Sequence, residues 1–295
     1  MKLLHLFHSR SDRARAFTII EIAICLGIIG FALVAIIAVL PRGLDVQKRN
    51  REETIIGQDA DVWMSAIRNG ALGYNDLTNY VMCITNFWTT YDNKYAFIKS
   101  GVDYYTPSNS GVTSLLPPPN FPLTNGSRII GLLSMPKTMP EFLLAPPATG
   151  FQSNYVVAYV RAFSGAIVNK VPQTNSIILG DAFTYRMIVE NFPYGPLDTN
   201  AFCLDCLATN GLTADQMAQR TNLMHTVLTL RDNARDFRLR FRWPVLPNGQ
   251  IPNYGLATFR SMASGRLLLT NDLFAAPGQP IFFVQSSNYT NTPSP

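Results

Sequence analysis

The sequence predicts an α+β protein: a long N-terminal helix, hydrophobic and membrane-spanning in its first half, followed by a β-rich, mainly antiparallel C-terminal domain. Three observations carry this. Ile22 to Leu40 is an unbroken apolar run of 19 residues. The residues after it become amphipathic at helical spacing, and from Leu72 onward short apolar and aromatic runs alternate with turn-forming residues. The 20 prolines and 19 glycines in 295 residues require many turns rather than a helical bundle. Charged residues make up 15% and hydrophobic ones 47%, so the chain can bury a core of respectable size.

Before the apolar run lies a short basic stretch. Lys2, Arg10, Arg13 and Arg15, less Asp12, put +3 of the formal net charge of +5 into the first sixteen residues. The remaining +2 does not describe a surface built throughout to hold nucleic acid. The run itself covers about 28 Å as a helix, close to the hydrocarbon thickness of a bilayer. It is too long for the hydrophobic part of a secretory signal peptide. It ends in Val39-Leu40-Pro41-Arg42 rather than a small-residue cleavage site. The one clean A-x-A, Ala14-Arg15-Ala16, precedes the run, where an enzyme cutting on the cytoplasmic side would act.

The string Arg15-Ala16-Phe17-Thr18-Ile19-Ile20-Glu21, leading into that run, resembles the class III signal of type IV pilins and type II secretion pseudopilins. The resemblance covers about the first 50–60 residues. It implies a leader over 1–16, cleavage by prepilin peptidase between Ala16 and Phe17, and N-methylation of Phe17; Ala16 stands where that family usually has Gly. It also implies a helix over 17–71 with a transmembrane half at 17–40, whose second half packs under a sheet, and a globular domain over 72–295. Glu21 would then pair with the free amino group of Phe17 in a neighbouring subunit. Independently of the resemblance, an acidic side chain inside a membrane span is costly and marks a partner or a function unless it snorkels to the headgroups.

Basic residues flank the run on both sides, with Arg42, Lys48, Arg49 and Arg51 after it, so charge bias does not set the topology. The family resemblance places the leader in the cytoplasm and the large domain in the periplasm. Pro41 and Gly43 predict a kink or a short melted stretch. Beyond it Leu44, Ile55/Ile56, Val62/Trp63 and Ala66/Ile67 recur with charges between them, an amphipathic helix to about Gly70. Trp63 and Ile67 read as ordinary core.

Strands are predicted at Tyr80–Ile84, Tyr95–Lys99, Tyr155–Phe163, Thr184–Val189, Phe237–Trp243, Ala257–Met262 and Ile281–Gln285. Pro107 to Ser127 reads as a surface loop and Asn288 to Pro295 as a tail. A further helix is expected from Ala214 to about Leu228, because Thr213-Ala214-Asp215-Gln216 is a capping box ahead of Met217, Met224 and Val227.

No catalytic constellation emerges. The histidines are His5, His8 and His225, and there is no G-x-S-x-G elbow, H-E-x-x-H or phosphate-cradling glycine loop. No enzyme, cofactor or metal site is expected, although paired carboxylates leave no sequence signature. Cys25 lies in the apolar run as a small hydrophobe. Cys203 and Cys206 form a CxxC without the βαβ context of a redox motif or a second CxxC for zinc. A Cys203–Cys206 disulfide is the first expectation and a bridge from Cys83 to either the alternative. Along Arg238-Leu239-Arg240-Phe241-Arg242-Trp243 the period of two puts three guanidiniums on one face of a strand. These are read as solvated or paired within the chain, with a subunit or nucleic-acid contact as the alternatives.

The resulting expectation is a structural subunit of a type IV pilus-like or pseudopilus filament. Its precursor would sit in a bacterial inner membrane, and its partners would be prepilin peptidase, other pilin subunits and the inner-membrane assembly machinery. Two alternatives stand beside it: a DNA-binding or adhesive minor pilin, and a signal-anchored periplasmic protein or enzyme that never polymerises.

Overall fold

The computed structural model describes residues 18–70, 75–107, 120–123, 125–140, 150–163, 183–194, 213–246, 248–252, 255–271 and 280–289. The fold is α+β, as the sequence predicts. Helix α1 (Ile19–Asn69) runs for 51 residues without interruption and carries Pro41 inside it. The melted stretch expected at Pro41 and Gly43 is therefore not formed. Proline removes one donor, and with hydrogen-bonded turns on both sides of it the helix continues through Pro41.

The chain divides between Glu52 and Glu53 into two units, so the second half of α1 belongs to the sheet domain. On that half Ile56, Asp59, Ala60, Trp63, Ala66 and Ile67 are fully buried. Their three- and four-residue spacing makes one stripe. Leu44 and Val62, expected in the stripe, are exposed instead. The register turned one position, with Asp59 taken inside and Val62 left out.

After a 3₁₀ turn (Asn75–Asn79) come β1 (Val81–Tyr91), β2 (Phe97–Thr106), β3 (Asn120–Pro122), α2 (Gly126–Leu133), β4 (Thr138–Pro140), β5 (Phe151–Arg161) and β6 (Thr184–Pro193). They are followed by α3 (Ala214–Asn233), β7 (Ala234–Trp243), β8 (Gly255–Ser264), β9 (Arg266–Asn271) and β10 (Pro280–Gln285). Eight strands form one sheet in the order β3-β2-β1-β5-β6-β7-β8, with β4 beside β5, while β9 and β10 pair separately. The β2–β3 pairing is parallel and the others are antiparallel. All seven predicted strands exist, with shifted ends.

One face of the sheet is the core. It presents Val156, Ala158 and Val160 from β5, Tyr185, Met187 and Val189 from β6, and Phe237, Leu239, Phe241 and Trp243 from β7. Trp63 and Ile67 of α1, Ile129 and Leu133 of α2, and Phe282 and Val284 of β10 complete the same cluster. Helix α2 corrects the predicted loop: Pro107–Ser127 ends in β3 and in the first turn of α2, and residues 108–119 lie outside the described residues. Asn125 caps α2 by accepting the Arg128 N–H at 2.8 Å. Gly131 is required there because Ile281 occupies the space a Cβ would need.

A buried polar cluster fastens α1 to the sheet. The Trp63 indole N–H donates to the Tyr185 hydroxyl at 2.9 Å, Asp59 hydrogen-bonds the same hydroxyl, and the Asp59 carboxylate accepts the Phe163 N–H at 3.2 Å. Phe163 packs edge-on against Trp63 with ring centroids 5.6 Å apart. Burial first, and the Asp59 charge second, push the Tyr185 phenol well above its ordinary pKa.

Candidate functional site

Two regions contain the residues singled out by sequence: the start of α1 and the sheet face turned away from the core. Ala16 and Phe17, the expected processing residues, lie outside the described residues. At the start of α1, Thr18 is the N-cap. Its backbone N–H and its hydroxyl donate to Glu21 Oε2 at 2.9 and 2.8 Å, and the Glu21 N–H donates back to the Thr18 hydroxyl at 3.3 Å. This is a reciprocal capping box, signalled by the pattern Thr18-Ile19-Ile20-Glu21 that the sequence reading passed over. The capping box thus gives Glu21 an intrachain role. It engages Oε2, and a carboxylate has further lone pairs for a cation.

Behind Glu21 the apolar half of α1 is long and apolar enough to span a membrane, and none of it is buried by the described residues. Every residue from Thr18 to Arg51 is exposed. Phe31 and Ile37 at 79% and 69% exposure make plain that this surface needs another apolar environment.

On the outer sheet face the predicted alternation is present: Leu239, Phe241 and Trp243 are buried and Arg238, Arg240 and Arg242 point the other way. The three arginines are not equivalent. Arg238 bonds Asp236 at 3.0 Å, and Arg260 of β8 reaches the other oxygen of the same carboxylate at 2.7 Å. Burial opposes ionisation of Asp236, but the hydrogen bonds from Arg260 and Arg238 outweigh it and hold its pKa below the usual carboxylate range. Arg240 bonds Glu190 of β6 at 3.1 Å, and Lys137 lies 3.7 Å from the same carboxylate. Arg238 also sits over the Phe192 ring and Lys137 over the Tyr155 ring, each at 4.9 Å. Arg242 has none of these partners. It lies directly across from Arg186 of β6, which sequence reasoning did not single out.

The cysteines sort partly. Cys203 and Cys206 lie outside the described residues. Cys83 on β1 is a free thiol, and both partners of the alternative bridge lie outside the described residues. Burial pushes its pKa up to about 11 despite a hydrogen bond from the Tyr159 backbone, which leaves it a protonated, unreactive thiol at neutral pH. Cys25 is also free. Among the described residues no three His, Cys, Asp or Glu side chains come together as a metal site.

Comparison of the chain with known protein families, curated proteins and solved structures gives no match.

Proposed function

We propose that this chain is a structural subunit of a type IV pilus-like or pseudopilus filament. In this reading it is stored as a single-pass inner-membrane precursor with a periplasmic sheet domain, processed between Ala16 and Phe17, and assembled through the apolar half of α1. The observation that carries the proposal is the division of labour within one uninterrupted helix. Its second half is built into the core of the sheet domain, while its first half is apolar and not buried by any of the described residues. A bilayer supplies the missing apolar surroundings before assembly, and the packed helices of neighbouring subunits supply them afterwards. Glu21 is the single charge on that surface, and a positive amino terminus on a neighbour neutralises it as water leaves. The role is structural rather than catalytic.

The first test is mass spectrometry of the protein's N-terminal peptide from its native membrane, beside a strain lacking prepilin peptidase. A chain starting at methylated Phe17, absent from that strain, is expected. A chain starting at Met1 in both strains would overturn the proposal. The capping box supplies a sharper second test, since glutamine at the third helical position keeps the cap while losing the charge. Glu21→Gln is expected to leave the precursor folded and membrane-bound but to remove it from sheared filament fractions. Normal incorporation of that variant would show that charge pairing plays no part.

A further inference from the structure

The outer face of β5–β8 carries Lys137 and six arginines against two acids, and the pairing is uneven. Asp236 and Glu190 engage Arg238, Arg260, Arg240 and Lys137. Arg161, Arg186 and Arg242, at one end of the same face, have no ion pair among the described residues. Register places them together. Arg186 faces Arg242 directly across the β6–β7 ladder and faces Tyr159 across the β5–β6 ladder, and Arg161 lies two residues beyond Tyr159 on the same face. Directly opposed side chains on neighbouring strands start about 5 Å apart and diagonal ones about 7–8 Å, which lets three guanidiniums converge on a single anion. Like charges set opposite each other destabilise a sheet. The Nε atoms of Arg161 and Arg186 are moreover shielded from water with no acceptor, and burial pulls the Arg161 pKa below its ordinary value.

We infer that Arg161, Arg186 and Arg242 form a binding site for a compact phosphoryl dianion. A carboxylate offers two oxygens and one negative charge, enough for a single guanidinium fork, whereas a phosphoryl group offers three terminal oxygens and nearly two charges. Farther along the same face stand the carboxylates of Glu190, four residues from Arg186 on β6, and Asp236, six residues from Arg242 on β7. They interrupt the track a nucleic-acid backbone would follow, so the site takes a small anion in preference to a polymer. The cluster is drawn from three strands, whereas Arg238, Arg240 and Arg242 of the sequence reading lie along one. The assignment is independent of polymerisation.

Equilibrium dialysis of the full chain in detergent against labelled inorganic phosphate, with chloride holding ionic strength constant at neutral pH, tests it. Saturable uptake of one phosphate per chain is expected. Arg186→Gln and Arg186→Lys should each weaken it at least ~10-fold, since lysine keeps the charge but loses the fork, while Arg238→Gln leaves it within about twofold. In phosphate-free buffer Arg186→Gln should melt at or above the wild-type temperature, because a like-charge contact is removed. Uptake that does not saturate, equal loss in Arg186→Gln and Arg238→Gln, or binding of duplex DNA without phosphate uptake would each overturn the site. A lower melting temperature for Arg186→Gln without phosphate would also overturn it, by assigning the arginine to the fold.

Discussion

Tyr185 is where a single side chain decides how α1 is held. Its hydroxyl accepts from Trp63 and hydrogen-bonds Asp59, and both aromatic side chains are fully buried. Trp63→Ala removes the largest side chain in the α1 stripe, and a loss of about 3–5 kcal/mol in denaturant unfolding is expected. Tyr185→Phe keeps the packing but strands the indole N–H, and should cost about 1–3 kcal/mol. The pH dependence has a definite sign. Because the folded-state pKa of Tyr185 is raised, the folded chain holds its proton after the unfolded chain has released it. This stabilisation is complete below about pH 10 and is lost as pH rises towards the folded-state value. Stability measured from neutral pH upward should fall more steeply above about pH 10 in the wild type than in Tyr185→Phe. Parallel curves would show that Tyr185 does not titrate with unfolding. Little of this was legible in advance. Trp63 reads as core from its spacing, but Asp59 reads as one more charge between apolar positions, and its partners come from 104 and about 126 residues further along the chain.

At the scale of elements, local patterns were legible and long-range ones were not. The capping box at Thr213 announces α3, and both reciprocal bonds are present, the Thr213 N–H to Gln216 at 3.1 Å and the Gln216 N–H to Thr213 at 3.4 Å. The alternation of β7 is equally plain, because a period of two must put Leu239 and Phe241 on the face opposite the arginines. Helix α2 escaped because seven of its eight residues are buried, so no polar face marks its period. Strand β9 escaped because Leu267-Leu268-Leu269 neither alternates nor carries β-branched residues. The pairing of Glu190 with Arg240, and the clustering of Arg161 with Arg186, depend on strand order, which no local pattern encodes. Helix α3 itself yields a prediction. Asn233 is its one buried residue, so the cap supports a helix with little tertiary help. Thr213→Ala should weaken the helix by about 0.5–2 kcal/mol, seen as faster amide exchange over 214–233, while the melting temperature of the sheet stays unchanged. Loss of sheet stability in that variant would mean that α3 belongs to the cooperative core.

For the whole molecule, α1 joins two parts with opposite requirements. The part from Glu53 onward contains the described hydrophobic core, with the α1 stripe, α2 and β10 closing one face of the sheet. The part before it has no buried residue from Thr18 to Arg51, so its apolar side chains lie outside the described core, and its apolar run is long enough to span a membrane. Removing residues 1–40 should therefore leave the sheet domain intact. A chain starting at Pro41 keeps the polar residues between Pro41 and Glu52 as the solvated first turns of the amphipathic half. It is expected to be soluble and monomeric without detergent and to melt in one cooperative transition, whereas the full chain requires detergent or lipid. Aggregation or non-cooperative melting of the shortened chain would show that the apolar half is part of the folding unit. A charge in the span gives the complementary result. Ile29→Lys should cost about 2.5–3.5 kcal/mol of membrane insertion and release protein into the soluble fraction. Because Ile29 is exposed and belongs to the first unit, the thermal midpoint of the sheet domain should not move. If it falls, the two halves of α1 are coupled and the division between Glu52 and Glu53 is not a boundary in folding.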